Sequence, residues 1–209
     1  EMIIKFKSLG HKVSHLPLLN IEKVVHKEIN FTNFNGIIFT SANAVKFLDL
    51  NKIDKTIKCF CVGEATEKKA RSFGFQNTIV AEGNVSNLKE LILQNHNVSS
   101  GQLLYVSGET ISVDLDQQLI NEGYSINRIV NYRVNHDINF NEDFVNKLKQ
   151  NMPDMVYIYS PNSGSSFLKF VKIHHLESLW INTNLMCIGE KTSSILNEIK
   201  WKKIFLFNP

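Results

Sequence analysis

The sequence predicts an α/β protein made of two similar domains, each a parallel sheet flanked by helices. Short apolar runs typical of strands alternate with segments of helical periodicity along the 209 residues. Two short sequence motifs also occur twice, in the same order. The first is I-F-T-S-A-N at 38–43, echoed by Y-I-Y-S-P-N at 157–162, and the second is C-V-G-E-A-T at 61–66, echoed by C-I-G-E-K-T at 187–192. One supersecondary unit has therefore been used twice.

Strands are predicted where apolar, β-rich runs are bounded by polar or glycine-containing turns. Helices are predicted where apolar residues recur at three- and four-residue spacing, and several of them close on a glycine, at Gly10, Gly74 and Gly123. In chain order the predicted elements are helix 2–9, strand 12–19, strand 36–40, helix 42–50, strand 58–62, helix 64–73, strand 78–81, helix 85–95, strand 102–106, helix 110–122, strand 126–134, helix 140–149, strand 154–159, helix 162–171, strand 184–188, helix 190–199 and strand 203–207.

The distribution of strands predicts a discontinuous domain wrapped around an inserted one. Residues 34–126 supply enough strands for a complete small sheet, whereas 138–209 supply only three. The opening segment 1–19 is therefore assigned to the second of these domains. The linkers 20–33 and 127–137 then run in opposite directions between the domains, which favours a two-stranded antiparallel connection.

Composition limits the possible partners. The net charge is only +3 and the charged residues are mixed rather than clustered, so nucleic acid is not expected. The longest apolar runs are far shorter than the ~20 residues that span a bilayer, and no signal-peptide pattern is present. We therefore expect a cytoplasmic monomer that acts on a small molecule without membrane association.

No motif indicates a metal or a cofactor. The three cysteines contain no C-x-x-C pair, so they are expected as buried strand residues rather than as zinc ligands or disulfides. The seven histidines do not form a metal-binding i, i+4 pair, and neither a P-loop nor a dinucleotide-binding glycine motif follows any strand.

Small polar residues and glycines follow several predicted strands at their carboxyl ends. An open parallel sheet presents backbone N–H groups at this edge, and each helix start there favours an anion by about 0.3–1 kcal/mol. The alternative is that the hydroxyl residues only cap the helices that follow. The candidate binding residues are Ser41, Ala42, Asn43, Gly63, Thr66, Ser107, Gly108, Ser160, Asn162, Gly189 and Thr192.

Taken together, six short sequence motifs make the chain resemble the uroporphyrinogen-III synthase family. They are F-T-S at 39–41, V-G-E-A-T at 62–66, Y-V-S-G-E at 105–109, V-N-Y-R at 130–133, Y-S-P-N at 159–162 and I-G-E-K-T at 188–192. The resemblance implies two α/β domains joined by a two-stranded ladder, with the active site in the cleft between them. It also implies a cofactor-free, cyclising hydro-lyase that closes hydroxymethylbilane to uroporphyrinogen III, with loss of water and inversion of ring D.

Tyr132, in the V-N-Y-R motif, matches a tyrosine proposed in this family as the acid that helps the hydroxyl leave ring A. A phenol has an ordinary pKa of about 10 and can donate a proton to a departing oxygen. The alternative is a linker tyrosine whose ring packs on Val130 and Val134. For the whole chain, the alternative is a catalytically inactive ligand-binding or sensor module of the same fold.

The family usually opens with a strand that ends in a Thr-Arg-type turn, and it closes with a helix after the last strand. Neither feature is found within these 209 residues. We expect the sequence to be either a trimmed chain or the ordered part of a longer one. No residue of this sequence is assigned to the substrate contacts of that first turn.

Overall fold

The computed structural model describes residues 2–49 and 51–207. The helices are α1 Met2–Ser8, α2 Ala42–Phe47, α3 Glu64–Ser72, α4 Val85–Asn95, α5 Leu115–Asn121, α6 Glu142–Gln150, α7 Pro161–Ile173 and α8 Gly189–Leu196. The strands are β1 Leu19–Lys23, β2 Phe34–Phe39, β3 Lys58–Val62, β4 Thr78–Ala81, β5 Gln102–Gly108, β6 Ile126–His136, β7 Met155–Ile158, β8 Asn184–Ile188 and β9 Lys203–Phe207. None of the helices within the described ranges combines the length and the apolar character needed to cross a membrane.

The larger sheet has the order β1-β6-β5-β2-β3-β4, and β6, β5, β2, β3 and β4 are paired in parallel. Successive residues of β2 face opposite sides because side chains alternate along a strand. Ile37 packs with Ala44 of α2 and Ala70 of α3, whereas Ile38 packs with Leu88 and other residues of the second core. Burial on both faces explains why β2 ends in the apolar run Ile37, Ile38 and Phe39.

The smaller sheet has the order β7-β8-β9, and both of its strand pairs are parallel. Its core is aromatic: Phe167 and Phe170 of α7 pack with Trp180, and Leu196 of α8 covers the same cluster. The Phe167 and Trp180 rings meet edge to face, with their centroids 5.0 Å apart. The predicted class, α/β with parallel sheets flanked by helices, is confirmed.

The chain divides into two compact units, 1–20 with 135–209 and 21–134. The divisions fall inside β1 and β6, which are neighbours in the larger sheet. In one unit the Val24 N–H donates to the Asn131 carbonyl at 2.9 Å, and in the other the Asp137 N–H donates to the Leu18 carbonyl at 3.0 Å. The expected domains, 1–19 with 138–209 and 34–126, and the expected two-stranded antiparallel linker remain predictions.

The predicted strand at 12–19 is wrong. Residues 11–18 have no regular secondary structure, and β1 begins only at Leu19. Leu18 is buried in the core of the smaller unit, and Leu16 packs against the same core. Alternating burial without a regular strand ladder therefore produced the strand-like pattern.

Two predicted helices are shorter than expected. The helix at 110–122 spans only Leu115–Asn121, and residues 110–114 before it form bends and irregular structure. The helix at 42–50 ends at Phe47, and its predicted last residue lies outside the described residues. The glycine stops are confirmed, since Gly10, Gly74 and Gly123 have φ values of +88°, +97° and +89°.

Candidate active site

The unit formed by 21–134 carries its candidate residues along one edge of the larger sheet. β6, β5, β2 and β3 are neighbours, and their carboxyl ends lie together because the strands are parallel. Phe39 is level with both Val106 and Cys61, and Gly108 is level with Tyr132. This edge holds Ser41, Ala42, Asn43, Gly63, Thr66, Ser107, Gly108 and Tyr132.

A β-bulge shapes the end of β6. Ser107 is level with Val130 and Gly108 with Tyr132, so Asn131 has no counterpart in β5. An extra residue of this kind bends a strand and redirects the side chains beside it. Asn131 is fully buried, and its Nδ2 donates to the Ala44 carbonyl at 2.7 Å. Asn131 thereby ties β6 to one of the carbonyls that the end of α2 leaves unpaired.

The Tyr132 ring lies directly against the backbone of Gly108. A Cβ atom placed on Gly108 would be 2.7 Å from Tyr132 Cζ and 2.9 Å from its hydroxyl oxygen. The Glu109 N–H donates to the Tyr132 carbonyl at 2.9 Å, which fixes the backbone on the other side. Tyr132 is half-buried and packs against the core that contains Val106. The phenol is thus held at the sheet edge by its contact with a glycine.

Beneath this contact, Ser107 is fully buried and its hydroxyl is already engaged. It donates to the Gly108 carbonyl at 3.0 Å and accepts from Arg128 Nε at 2.9 Å. Arg128 Nη2 also donates to the Gly108 carbonyl at 3.3 Å, and Nη1 lies 4.0 Å from Asp116 Oδ2. The Ser107 side chain therefore supports the turn, and Arg128 of β6 is a functional residue that sequence reasoning missed.

A second polar contact links the ends of β2 and β5. The hydroxyls of Thr40 and Tyr105 are 3.3 Å apart, and the Arg128 guanidinium carbon lies 5.9 Å from the centre of the Tyr105 ring. Burial raises the pKa of Tyr105, and the Thr40 hydrogen bond and the charge of Arg128 partly oppose the rise. The Tyr105 phenol therefore holds its proton more firmly than an exposed tyrosine does.

The helices that follow β2 and β3 begin at the predicted turns. Ser41 Oγ accepts from the Asn43 N–H at 3.2 Å, so Ser41 caps α2. Gly63 has a φ of +74° and precedes α3 without a side-chain cap, and Thr66 in the first turn is buried. Glu64 pairs with Lys68 one turn along α3, at 2.7 Å. The helix capping expected as an alternative role is thus present for Ser41.

The unit formed by 1–20 and 135–209 has an equivalent edge of its own. Ile158 of β7 is level with Cys187 of β8, so the turns after the two strands are adjacent. Ser160 caps α7, with its Oγ accepting from the Ser163 N–H at 3.0 Å. Gly189, with a φ of +61°, opens α8. This edge holds Ser160, Asn162, Gly189 and Thr192.

Thr192 and Asn162 are held differently from one another. Thr192 is fully buried on α8, and within 2–49 and 51–207 its hydroxyl has no hydrogen-bond partner. The Asn162 carbonyl accepts from Ser166 Oγ at 2.9 Å, and Ser166 in turn meets His136 Nδ1 at 2.7 Å. Burial lowers the pKa of His136, and the positive charge of Lys169 lowers it further. His136 is a second polar residue near a predicted turn that sequence reasoning missed.

The described residues contain no cluster of three His, Cys, Asp or Glu side chains able to hold a metal. All three cysteines are buried and free of disulfides, as expected. A cavity of about 510 Å³ is lined by Phe34 and Gln102, where β2 and β5 begin, and by Asn127, Arg128 and Val130 of β6. Arg128 lines this cavity and also contacts Ser107 and Gly108, so the cavity and the candidate edge share a residue.

Comparison with known proteins identifies the family. A family model described as "HEM4: Uroporphyrinogen-III synthase HemD" matches residues 1–206. The chain is similar in structure to uroporphyrinogen-III synthetase from Helicobacter pylori 26695, with a TM-score of 0.64 and 20% identity, over 94% of this chain and 88% of that one.

A mutant uroporphyrinogen III synthase from the extremely thermophilic bacterium Thermus thermophilus is also similar, with a TM-score of 0.59 and 15% identity, over 96% of this chain and 85% of that one. Identities this low show a shared fold. A search of curated proteins found no match. The family model spans nearly the whole sequence, and on that ground the chain belongs to the uroporphyrinogen-III synthase family.

Proposed function

We propose that this chain closes hydroxymethylbilane to uroporphyrinogen III, with loss of water and inversion of ring D, and that Tyr132 is its general acid. Family membership makes the chain a cyclising lyase of tetrapyrrole biosynthesis. The observation that carries the role of Tyr132 is its contact with Gly108, which holds a phenol at the edge where four parallel strands end.

The first step is cleavage of the C–O bond of the hydroxymethyl group on ring A. Tyr132 gives its proton to the departing oxygen, so water leaves and the electron-rich pyrrole becomes an azafulvenium cation. Return of the pyrrole N–H proton to the phenolate gives the neutral azafulvene and restores Tyr132. General acid catalysis of this kind contributes about 10²- to 10⁴-fold. The pyrrole already expels hydroxide readily, so we expect Tyr132 to accelerate this step by no more than about a hundredfold.

Ring closure with inversion is the harder task, and it depends on positioning. The azafulvene carbon must be held near the substituted carbon of ring D, so that a spiro intermediate forms, fragments and recloses with ring D reversed. Holding reacting groups in one geometry lowers the activation free energy by about 7–11 kcal/mol in favourable cases. The free bilane closes to the uninverted type I isomer, so the isomer produced reports on this positioning.

Carboxylate recognition is assigned to the turns at the two sheet edges. The substrate carries acetate and propionate arms, and a hydrogen bond to a charged group contributes about 1.5–3 kcal/mol. The turn residues proposed to bind substrate are Ser41, Ala42, Asn43, Gly63, Thr66, Gly108, Ser160, Asn162, Gly189 and Thr192, with Ser107 supporting Gly108.

We further propose that the protein works as a cytoplasmic monomer that needs no cofactor, nucleic acid or membrane. Mixed surface charge and a net charge of only +3 support this assignment. Sedimentation equilibrium of the purified protein tests the monomer, because a mass well above 23.9 kDa would contradict it.

The deciding experiment supplies freshly made hydroxymethylbilane, then oxidises the products and separates their isomers. We expect type III to exceed the type I formed in a parallel reaction with heat-denatured protein. Unchanged type I formation, together with bilane binding, would instead support the inactive ligand-binding module.

A further inference from the structure

Arg128 is a charged residue that contacts the Gly108 backbone and whose role the proposed function does not yet explain. It lies on β6, level with Tyr105 of β5, and its side chain is 24% exposed. Its guanidinium reaches along the sheet to the carboxyl end of β5. There it contacts Ser107 Oγ at 2.9 Å and the Gly108 carbonyl at 3.3 Å.

These two acceptors depend on each other. Ser107 is fully buried and already donates its hydroxyl proton to the Gly108 carbonyl, so its remaining lone pair is available to Arg128. Without Arg128, a buried hydroxyl oxygen and a carbonyl would both lose a charged donor. Buried acceptors left in this way are costly, and the backbone relaxes to recover partners.

Any movement of Gly108 is transmitted to Tyr132. There is no room for even one extra carbon between the Gly108 backbone and the phenol ring. The following residue is also tied to the same tyrosine, through the Glu109 N–H and the Tyr132 carbonyl. The position of the phenol therefore follows the position of the Gly108 peptide.

We propose that Arg128 is a positioning residue: its guanidinium holds the end of β5 in the one place where Gly108 supports the Tyr132 ring. This inference rests on the proposed role of Tyr132 as the acid. A guanidinium suits the task because its planar fork reaches two acceptors at once, which an ammonium group does not reproduce. Asp116, 4.0 Å away, faces the guanidinium from α5.

The test is a double-mutant cycle on kcat and KM with hydroxymethylbilane. Arg128→Met is expected to lower kcat about tenfold, with KM changed less than about twofold, because misplacing a reacting group by a fraction of an ångström affects turnover first. Arg128→Lys is expected to retain an intermediate kcat. In the Tyr132→Phe background, Arg128→Met is expected to change kcat by less than about twofold, because the group it positions is gone.

Arg71→Met is the matched control, because Arg71 is an exposed arginine on α3 that pairs with Glu67 at 2.9 Å. It is expected to leave kcat unchanged. A second readout places 3-fluorotyrosine at position 132 and records its ¹⁹F resonance. The resonance is expected to move in Arg128→Met and to stay in place in Arg71→Met.

The outcomes separate the two proposals. If Tyr132→Phe keeps full activity, the proposed acid role fails. If Tyr132→Phe is slow but Arg128→Met costs the same factor in both backgrounds, or raises only KM, or leaves the fluorine resonance unmoved, the positioning role of Arg128 is overturned and the acid role survives. Should Arg128→Met not fold, Ser107→Ala removes one of the two acceptors and is expected to lower kcat in the same direction by a smaller factor.

Discussion

Gly108 and Tyr132 touch so closely that the tyrosine ring occupies the space where any other residue at 108 would place its side chain. The nearest ring atom, Cζ, is 2.7 Å from the position of that missing Cβ. Gly108 is not one of the glycines with positive φ, so the close approach of the ring, and not the backbone conformation, requires glycine here.

Gly108→Ala should reduce turnover while leaving the protein folded. The added methyl group must displace either the phenol or the end of β5, and we expect kcat to fall about tenfold or more. Steady-state kinetics and the thermal unfolding midpoint, measured on the same preparation, check this prediction.

Gly36→Ala is the control for that substitution. A Cβ on Gly36 would lie equally close, 2.7 Å, to Leu103 Cδ2, but at the amino end of the same sheet. It should lower the unfolding midpoint without a specific loss of kcat. Equal losses of kcat in the two variants would show that the effect of Gly108→Ala is one of stability alone.

Tyr132→Phe should slow the reaction and preserve its outcome. Removing the hydroxyl removes the proton donor, and we expect kcat to fall about tenfold to a hundredfold, while type III remains the main product. Tyr157→Phe, in the other unit, is the matched control and should retain kcat. A Tyr132→Phe enzyme that makes chiefly type I would mean that Tyr132 positions the substrate rather than protonating it.

Asn131→Ala should destabilise the larger unit by about 1–3 kcal/mol, because the Ala44 carbonyl loses a buried donor. Asn131→Asp should lower the free energy of unfolding further at pH 8, because a buried carboxylate cannot donate a hydrogen bond to the Ala44 carbonyl. Burial raises the pKa of such a carboxyl group, so its contribution to stability is present at low pH and lost as the pH rises.

Urea unfolding at pH 5 and pH 8 measures both effects. Asn127, an exposed asparagine on the same strand, provides the control through Asn127→Asp. If the two Asp variants show the same pH dependence, the buried contact of Asn131 is not its cause.

Stability should also decline in mildly acidic solution through His136. Burial and the charge of Lys169 lower the pKa of His136, so its folded-state pKa lies below its unfolded value. Protonation then favours the unfolded chain, and stability is lost progressively as the pH falls from about 6.5 through the folded-state pKa. His136→Gln should flatten this decline slightly between pH 7 and pH 5.5, whereas His15→Gln, at an exposed position, should not. A decline that is identical in both variants would assign the effect elsewhere.

Local sequence predicts those strands that are short apolar runs with clear boundaries. β3, β4, β8 and β9 were predicted residue for residue, because each is a short apolar run between polar turns. The false strand at 12–19 shows the limit of such patterns. Leu16 and Leu18 both pack against the core although residues 11–18 form no regular strand, because alternation reports burial rather than a strand ladder.

The candidate site also contains features that the sequence predicts and features that it does not. Its turns are visible because Ser41, Gly63 and Gly189 directly follow β-type runs. The contact between Gly108 and Tyr132 could not be predicted, because it depends on the register of β5 against β6 and on the unmatched Asn131. Arg128 was overlooked for a related reason: its partners at 107 and 108 become neighbours only when the two strands pair.

The bulge in β6 has a consequence for how freely sequences of this kind can vary. Turns between strands and helices can lengthen or shorten without moving Tyr132, because the tyrosine is placed by strand pairing. The loss of a single residue from 126–131 would instead carry a different side chain to the glycine, or oblige β6 to slide along β5. Natural relatives should accordingly tolerate gaps in their loops and conserve the residue count between the start of this strand and its tyrosine.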